Sequence, residues 1–181
     1  MKPFVIDGHD NDLYFFKGRA DVQRCERCGA LTQKWAERLP EDAASKVAAD
    51  VSCSYDGVLV VSERFKDIYE RAGLRGLDFR RVGAARWAIT AERVVAFDAE
   101  KRKTRFEGAC PVCGKFESVT GATPAFLTEN AVVQPAEFVR TDVEFGDGDE
   151  QHPLLICGAE AAAVLRRGRL SGLELQEVAN A

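Results

Sequence analysis

Histidine is scarce: His9 and His152 are the only two in 181 residues. Their surroundings argue against zinc-deaminase chemistry, which needs a metal-binding His two residues before a Glu and a Pro directly before the second motif's first Cys. Here His9 precedes Asp10-Asn11, His152 precedes Pro153-Leu154, and Ala109 precedes Cys110. Long apolar runs are missing too, and nothing approaches the roughly 18–20 residues needed to cross a bilayer. The segment Met1–Asp12 turns acidic after its sixth residue and lacks the apolar region and small-residue cleavage site of a signal peptide. These absences predict a cytoplasmic protein that is not membrane-embedded. There is no Gly-x-Ser-x-Gly, no Gly-x-Gly-x-x-Gly after a strand and no Walker sequence, so the expectation is a protein without catalysis. The net charge of −4 is small and disfavours a surface built entirely for nucleic acid.

What is present suits a folded domain. Hydrophobic residues make up 46% and charged residues 30%, which argues against wholesale disorder. No low-complexity tract or long linker divides the chain, so the expectation is one α+β domain over residues 1–181. Six cysteines in a reducing compartment are not the material of three disulfides, and metal binding is the leading use for those that come in pairs.

Two pairs stand out: Cys25-Glu26-Arg27-Cys28-Gly29 and Cys110-Pro111-Val112-Cys113-Gly114. Two thiolates separated by two residues can hold one metal through a tight turn, and the glycine after each pair suits the left-handed backbone commonly needed there. Together they predict one structural zinc on Cys25, Cys28, Cys110 and Cys113, in a zinc-ribbon-like site built from two knuckles. Common zinc ribbons separate their pairs by about 15–20 residues; here about 80 intervene. Closing such a loop costs on the order of 4 kcal/mol, against roughly 10–16 kcal/mol from zinc in a complete thiolate site. Metal binding wins. A redox role for one pair is the competing use, although neither pair sits between a strand and a helix, where a thiol pKa would be lowered. Cys157 and Cys53 read as buried thiols acting as small hydrophobes.

A second pattern organises the chain. Gly57–Phe65 aligns with Pro153–Ala161 and continues without a gap, so that Leu59 falls on Leu155, Arg71 on Arg167, Gly76 on Gly172, Leu77 on Leu173 and Val82 on Val178. Each copy reads as strand, helix, strand. An apolar run (Val58–Val61, Leu154–Cys157) leads into a helix, which Ser62 can cap in the first copy, and a glycine turn leads out to a second strand. The prediction is an α+β fold with mixed sheets, two pseudo-duplicated strand–helix–strand units and halves of about 1–84 and 85–181. Further strands are expected at Leu13–Phe16, Leu31–Trp35, Ala88–Thr90, Val94–Phe97, Thr104–Phe106, Phe116–Val119 and Phe138–Phe145. Leu39–Asp50 and Gly146–His152 read as surface loops.

Charge marks three other places. Asp142, Glu144, Asp147, Asp149 and Glu150 read as a solvated loop or as a docking surface for a basic partner. Lys101–Arg105, with Arg24, Arg27 and Lys34, offers an alternative function as a zinc-ribbon module contacting nucleic acid. His9 with Asp7, Asp10 and Asp12 is a surface turn or a second metal site.

The two distant Cys-x-x-Cys-Gly pairs, followed by Tyr55-Asp56-Gly57-Val58-Leu59-Val60-Val61-Ser62-Glu63-Arg64-Phe65, resemble the double-CXXCG-motif family first recognised in myxobacteria. The Ser-Glu-Arg segment is also similar to bacterial immunity proteins of polymorphic toxin systems. The likeness covers about Leu13 to Val178; it departs at Glu26, where the family often has proline. It implies a non-enzymatic cytoplasmic protein that neutralises a cognate toxin by direct binding, and it carries over no catalytic residue.

Overall fold

Ser62 closes a strand and opens a helix. Its hydroxyl accepts the amide of Phe65 at 3.2 Å and donates to Asp50 at 2.7 Å, satisfying one of the free donors at the helix start. In the computed structural model, which describes residues 2–179, this junction joins β3 (Leu59–Ser62) to α1 (Glu63–Arg71). Phe65 and Tyr69 are the buried face of α1, and the chain returns through β4 (Leu77–Gly83). Gly158 holds the corresponding place between β10 (His152–Cys157) and α3 (Ala159–Arg167), which leads to β11 (Leu173–Glu177).

Helix starts, helix ends and the starts of the return strands coincide when Leu59 is laid on Leu155. Each unit is split: its two strands do not touch but lie either side of a third, antiparallel strand. In the first unit that strand is β5 (Arg86–Ala91), with Ile89 opposite both Leu59 and Phe79. In the second it is β1 (Phe4–Asp10), with Ile6 opposite both Leu155 and Leu175. The flanking strands correspond as well. β2 (Val51–Cys53) pairs Val51 with Val61, and β9 (Phe138–Asp147) pairs Phe138 with Cys157. The backbone before each return strand docks alike, Phe138 N donating to Arg75 O at 2.9 Å and Val51 N to Ser171 O at 3.0 Å.

These units join into one mixed sheet of eleven strands. β1 is the seam: Phe4–Gly8 pair with β11, Phe4–Ile6 also with β10, and His9 and Asp10 run on parallel to Ser52 and Cys53 of β2. Likewise the chain leaves β5 and pairs parallel to β9 through β6 (Val94–Val95). α2 (Ala99–Arg102), β7 (Arg105–Glu107) and β8 (Ser118–Thr120) follow, the last two extending the sheet beyond β9. Strand alternation then sorts the core. Leu59, Val61, Leu155 and Cys157 face α1 and α3, in one cluster with Phe65, Tyr69 and Leu165. On the opposite face Val60 packs with Phe15, Phe16 and Val82, whereas Ile156 packs with Val5, Val139 and Val178.

Several expected elements differ. Leu13–Phe16 is not a strand, because the amides of Phe15 and Phe16 donate at 2.6 and 2.9 Å to the buried carboxylate of Asp56 instead of to a ladder. Leu31–Trp35 keeps only a bridge from Leu31 to Arg24 before a 3₁₀ turn at Lys34–Ala36. His9 lies at the end of a strand rather than in a turn, and Cys53 is half-buried. The 84/85 junction falls in the turn between β4 and β5, strands that pair with each other.

Candidate metal centre

Each cysteine pair folds on itself in the same way. Gly29 N donates to Cys25 O at 2.8 Å and Cys25 N to Ala30 O at 2.9 Å; Gly114 N donates to Cys110 O at 2.9 Å and Cys110 N to Lys115 O at 2.8 Å. The two glycines have φ of 75° and 73°, and an added Cβ would meet nothing within 4 Å. Glycine is required by the left-handed backbone, then, and not by crowding. The turn aims the amides of Cys28 and Arg27 at the Cys25 sulfur, and those of Cys113 and Val112 at Cys110.

The fold brings the two turns together. The four Sγ atoms of Cys25, Cys28, Cys110 and Cys113 all lie within 4.8 Å of one another. Across the junction, Cys25 to Cys110 is 3.9 Å and Cys28 to Cys113 is 3.6 Å. A zinc–sulfur length of about 2.3 Å places tetrahedral ligands about 3.8 Å apart. The set is compatible with a metal ion such as zinc.

The thiols are electrostatically unequal. Amide donation from Cys113 and Val112 draws the Cys110 thiol down to about 6, and the Cys28 and Arg27 amides lower Cys25. At Cys28 the amide of Ala30 favours the thiolate, but loss of water and the neighbouring sulfurs outweigh it and push the thiol up to about 12. Crowded sulfurs oppose one another's ionisation, and a dication among them removes that opposition. Cys25 and Cys110 are buried, while Cys28 is exposed beside an open groove of about 540 Å³ lined partly by Arg27, Lys115 and Glu117.

Side chains outside the cluster hold the turns in place. Arg24 donates to Gly29 O at 2.8 Å and pairs with Asp149 at 2.8 Å. Lys115, directly after the second turn, pairs with Glu144 at 2.9 Å, and Glu144 also accepts the Trp35 indole at 2.7 Å. Burial opposes ionisation of Glu144, yet these two donors hold its carboxyl below the usual value. Lys34 donates to the carbonyls of Asp149 and Gln151, both at 2.7 Å, and burial lowers its ammonium to about 8.

The acidic residues therefore divide. Glu144 and Asp149 brace the cysteine turns, and Asp142 accepts the Phe97 amide at 2.8 Å. Asp147 and Glu150 remain exposed. Lys34 is buried and Arg24 is paired, so neither belongs to an open basic surface. Sequence reasoning missed Trp35, Lys115 and Gln151 as supports. The position of Lys115 directly after a Cys-x-x-Cys-Gly turn was the available signal. Against known proteins, the chain matches no family model and no curated protein.

Proposed function

We propose that the chain is a non-enzymatic zinc protein in which one Zn²⁺, held by Cys25, Cys28, Cys110 and Cys113, fastens two duplicated halves, and which acts by binding another protein. The observation that carries this is the meeting of two sulfur pairs, distant in sequence, within 4.8 Å. The matching registers around Ile6 and Ile89 support duplication. Four sulfurs would fill a tetrahedral zinc and leave no position for a water nucleophile, so the role is structural. The partner is a cognate toxin domain neutralised by occlusion in the cytoplasm; the sequence likeness to the double-CXXCG family supports this. Elemental analysis of untagged protein should return one zinc per chain. Co-expression with the product of the adjacent toxin-like gene should restore growth and yield a complex. No metal would end the zinc reading, and neither complex nor protection would end the immunity reading.

A second reading is nucleic-acid contact through Lys101, Lys103 and Arg105, which are exposed beside Phe106. It predicts affinity that falls steeply with salt; a weak, flat response dismisses it.

A further inference from the structure

Tyr14 and Tyr55 are each 41% exposed, and their ring centres lie 5.0 Å apart with the planes tilted by 35°. Together they place two aromatic rings side by side at the surface. They are also held firmly. The buried carboxylate of Asp56 accepts the Phe15 and Phe16 amides on one side and the Ser54 hydroxyl at 2.6 Å on the other. Tyr55 N donates to Leu13 O at 3.0 Å, and the Tyr55 hydroxyl donates to Asp12 at 2.8 Å. One buried acid thus clamps both loops, and rigid exposed tyrosines are the usual anchors of protein interfaces because little entropy is lost when they are covered.

Beside Tyr14 lies a groove of about 570 Å³, lined also by Lys17, Asp56, Glu117, Asp147, Asp149 and Glu150. Among the described residues, Glu117, Asp147 and Glu150 form no ion pair. The ammonium of Lys17 sits 4.4 Å from the Tyr14 ring centre, a place that a partner's guanidinium would take over from it. Carboxylates beside the Tyr14 ring match a guanidinium, which stacks on rings and pairs with carboxylates at once.

We infer that the Tyr14–Tyr55 face is a docking surface for a protein that presents arginine. The inference rests on the binding-protein reading and adds where the partner sits and what chemistry it offers.

The test uses the full-length, zinc-loaded protein and end-labelled nona-arginine as probe, followed by fluorescence anisotropy at fixed ionic strength. Saturable one-to-one binding is expected. It should weaken at least tenfold in Tyr14→Ser/Tyr55→Ser and in Asp147→Asn/Glu150→Gln, with melting temperatures close to the parent. Asp42→Asn/Glu129→Gln, which removes the same charge elsewhere, should bind like the parent. No binding, or equal loss in all three variants, overturns the inference, the latter because it marks diffuse charge attraction. So does a parent dimer that becomes monomeric in the tyrosine variant, since the occupant is then a second copy. Growth protection is scored separately: protection without peptide binding sinks this face and spares the immunity reading, and the reverse does the opposite.

Discussion

Ile6 and Ile89 hold the same position in two different parts of the sheet. Each lies between two apolar residues of a split strand–helix–strand unit, Leu155 and Leu175 for Ile6, Leu59 and Phe79 for Ile89. The leading strand of each half is thus inserted into the unit of the other, so neither half closes its sheet alone. Both isoleucines are buried against the helices. Ile6→Ala and Ile89→Ala should each cost about 2–5 kcal/mol, read from urea unfolding. Since each strand belongs to one half and pairs with the unit of the other, tryptophan fluorescence and circular dichroism should report one shared transition in both variants. A separate early transition of one half would show that the exchange does not couple them.

The metal should act across the same seam. Only Cys53 and Cys157 lie outside the cluster, and burial pushes both thiols up to about 12. Titration of native zinc protein with a disulfide reagent should show few reactive thiols, and a strong chelator should release four more together with one zinc. Cys110→Ser should lose the metal and melt at least 10 °C lower, whereas Cys53→Ala should keep it. Equal metal content in the two variants would place the ion elsewhere.

Lys34 makes a pH prediction with a definite sign. Desolvation is the leading cause of its lowered value of about 8, below the ordinary 10.5, so between these values the unfolded chain binds more protons than the folded one. Stability from this residue must therefore rise with pH through that window, by about 3 kcal/mol in full. Denaturation of the parent and of Lys34→Met from pH 7 to 10.5 isolates the effect from the tyrosines and thiols that also titrate there. The difference should move in favour of the parent as pH rises. A difference that stays flat would mean that the ammonium is solvated.

How much of this was legible beforehand depended on whether the chemistry was local. β3, α1 and β4 could be read because an apolar run, a capping serine and a glycine turn sit within one short stretch. The four clustered sulfurs were legible for the same reason, since a Cys-x-x-Cys-Gly turn carries its own geometry. β1 has no such local signal: after Ile6 it reads Asp-Gly-His-Asp, and its stability comes from strands about 150 residues away. Leu13–Phe16 misled in the opposite sense, an apolar run whose amides go to one distant carboxylate. The acidic stretch showed its charge but not that Glu144 would be taken by Lys115 and Trp35.

Asp56 carries the last prediction, because it separates structure from recognition. The residue is 1% exposed and its carboxyl group accepts from two backbone amides and one hydroxyl, all within the clamp. Asparagine has nearly the same shape but must turn its NH₂ toward one set of these donors, leaving buried groups unpaired. Hydrogen bonds to a charged group contribute about 1.5–3 kcal/mol each, so Asp56→Asn should destabilise the fold by about 2–4 kcal/mol and release the Leu13–Phe16 loop. Zinc content should stay at one per chain, because all four ligands lie outside the clamp. Nona-arginine binding should nonetheless fall, since Tyr14 and Tyr55 would no longer be held against each other. A variant that loses stability but binds the peptide like the parent would show that the tyrosines need no clamp, and would remove rigidity from the account of that face.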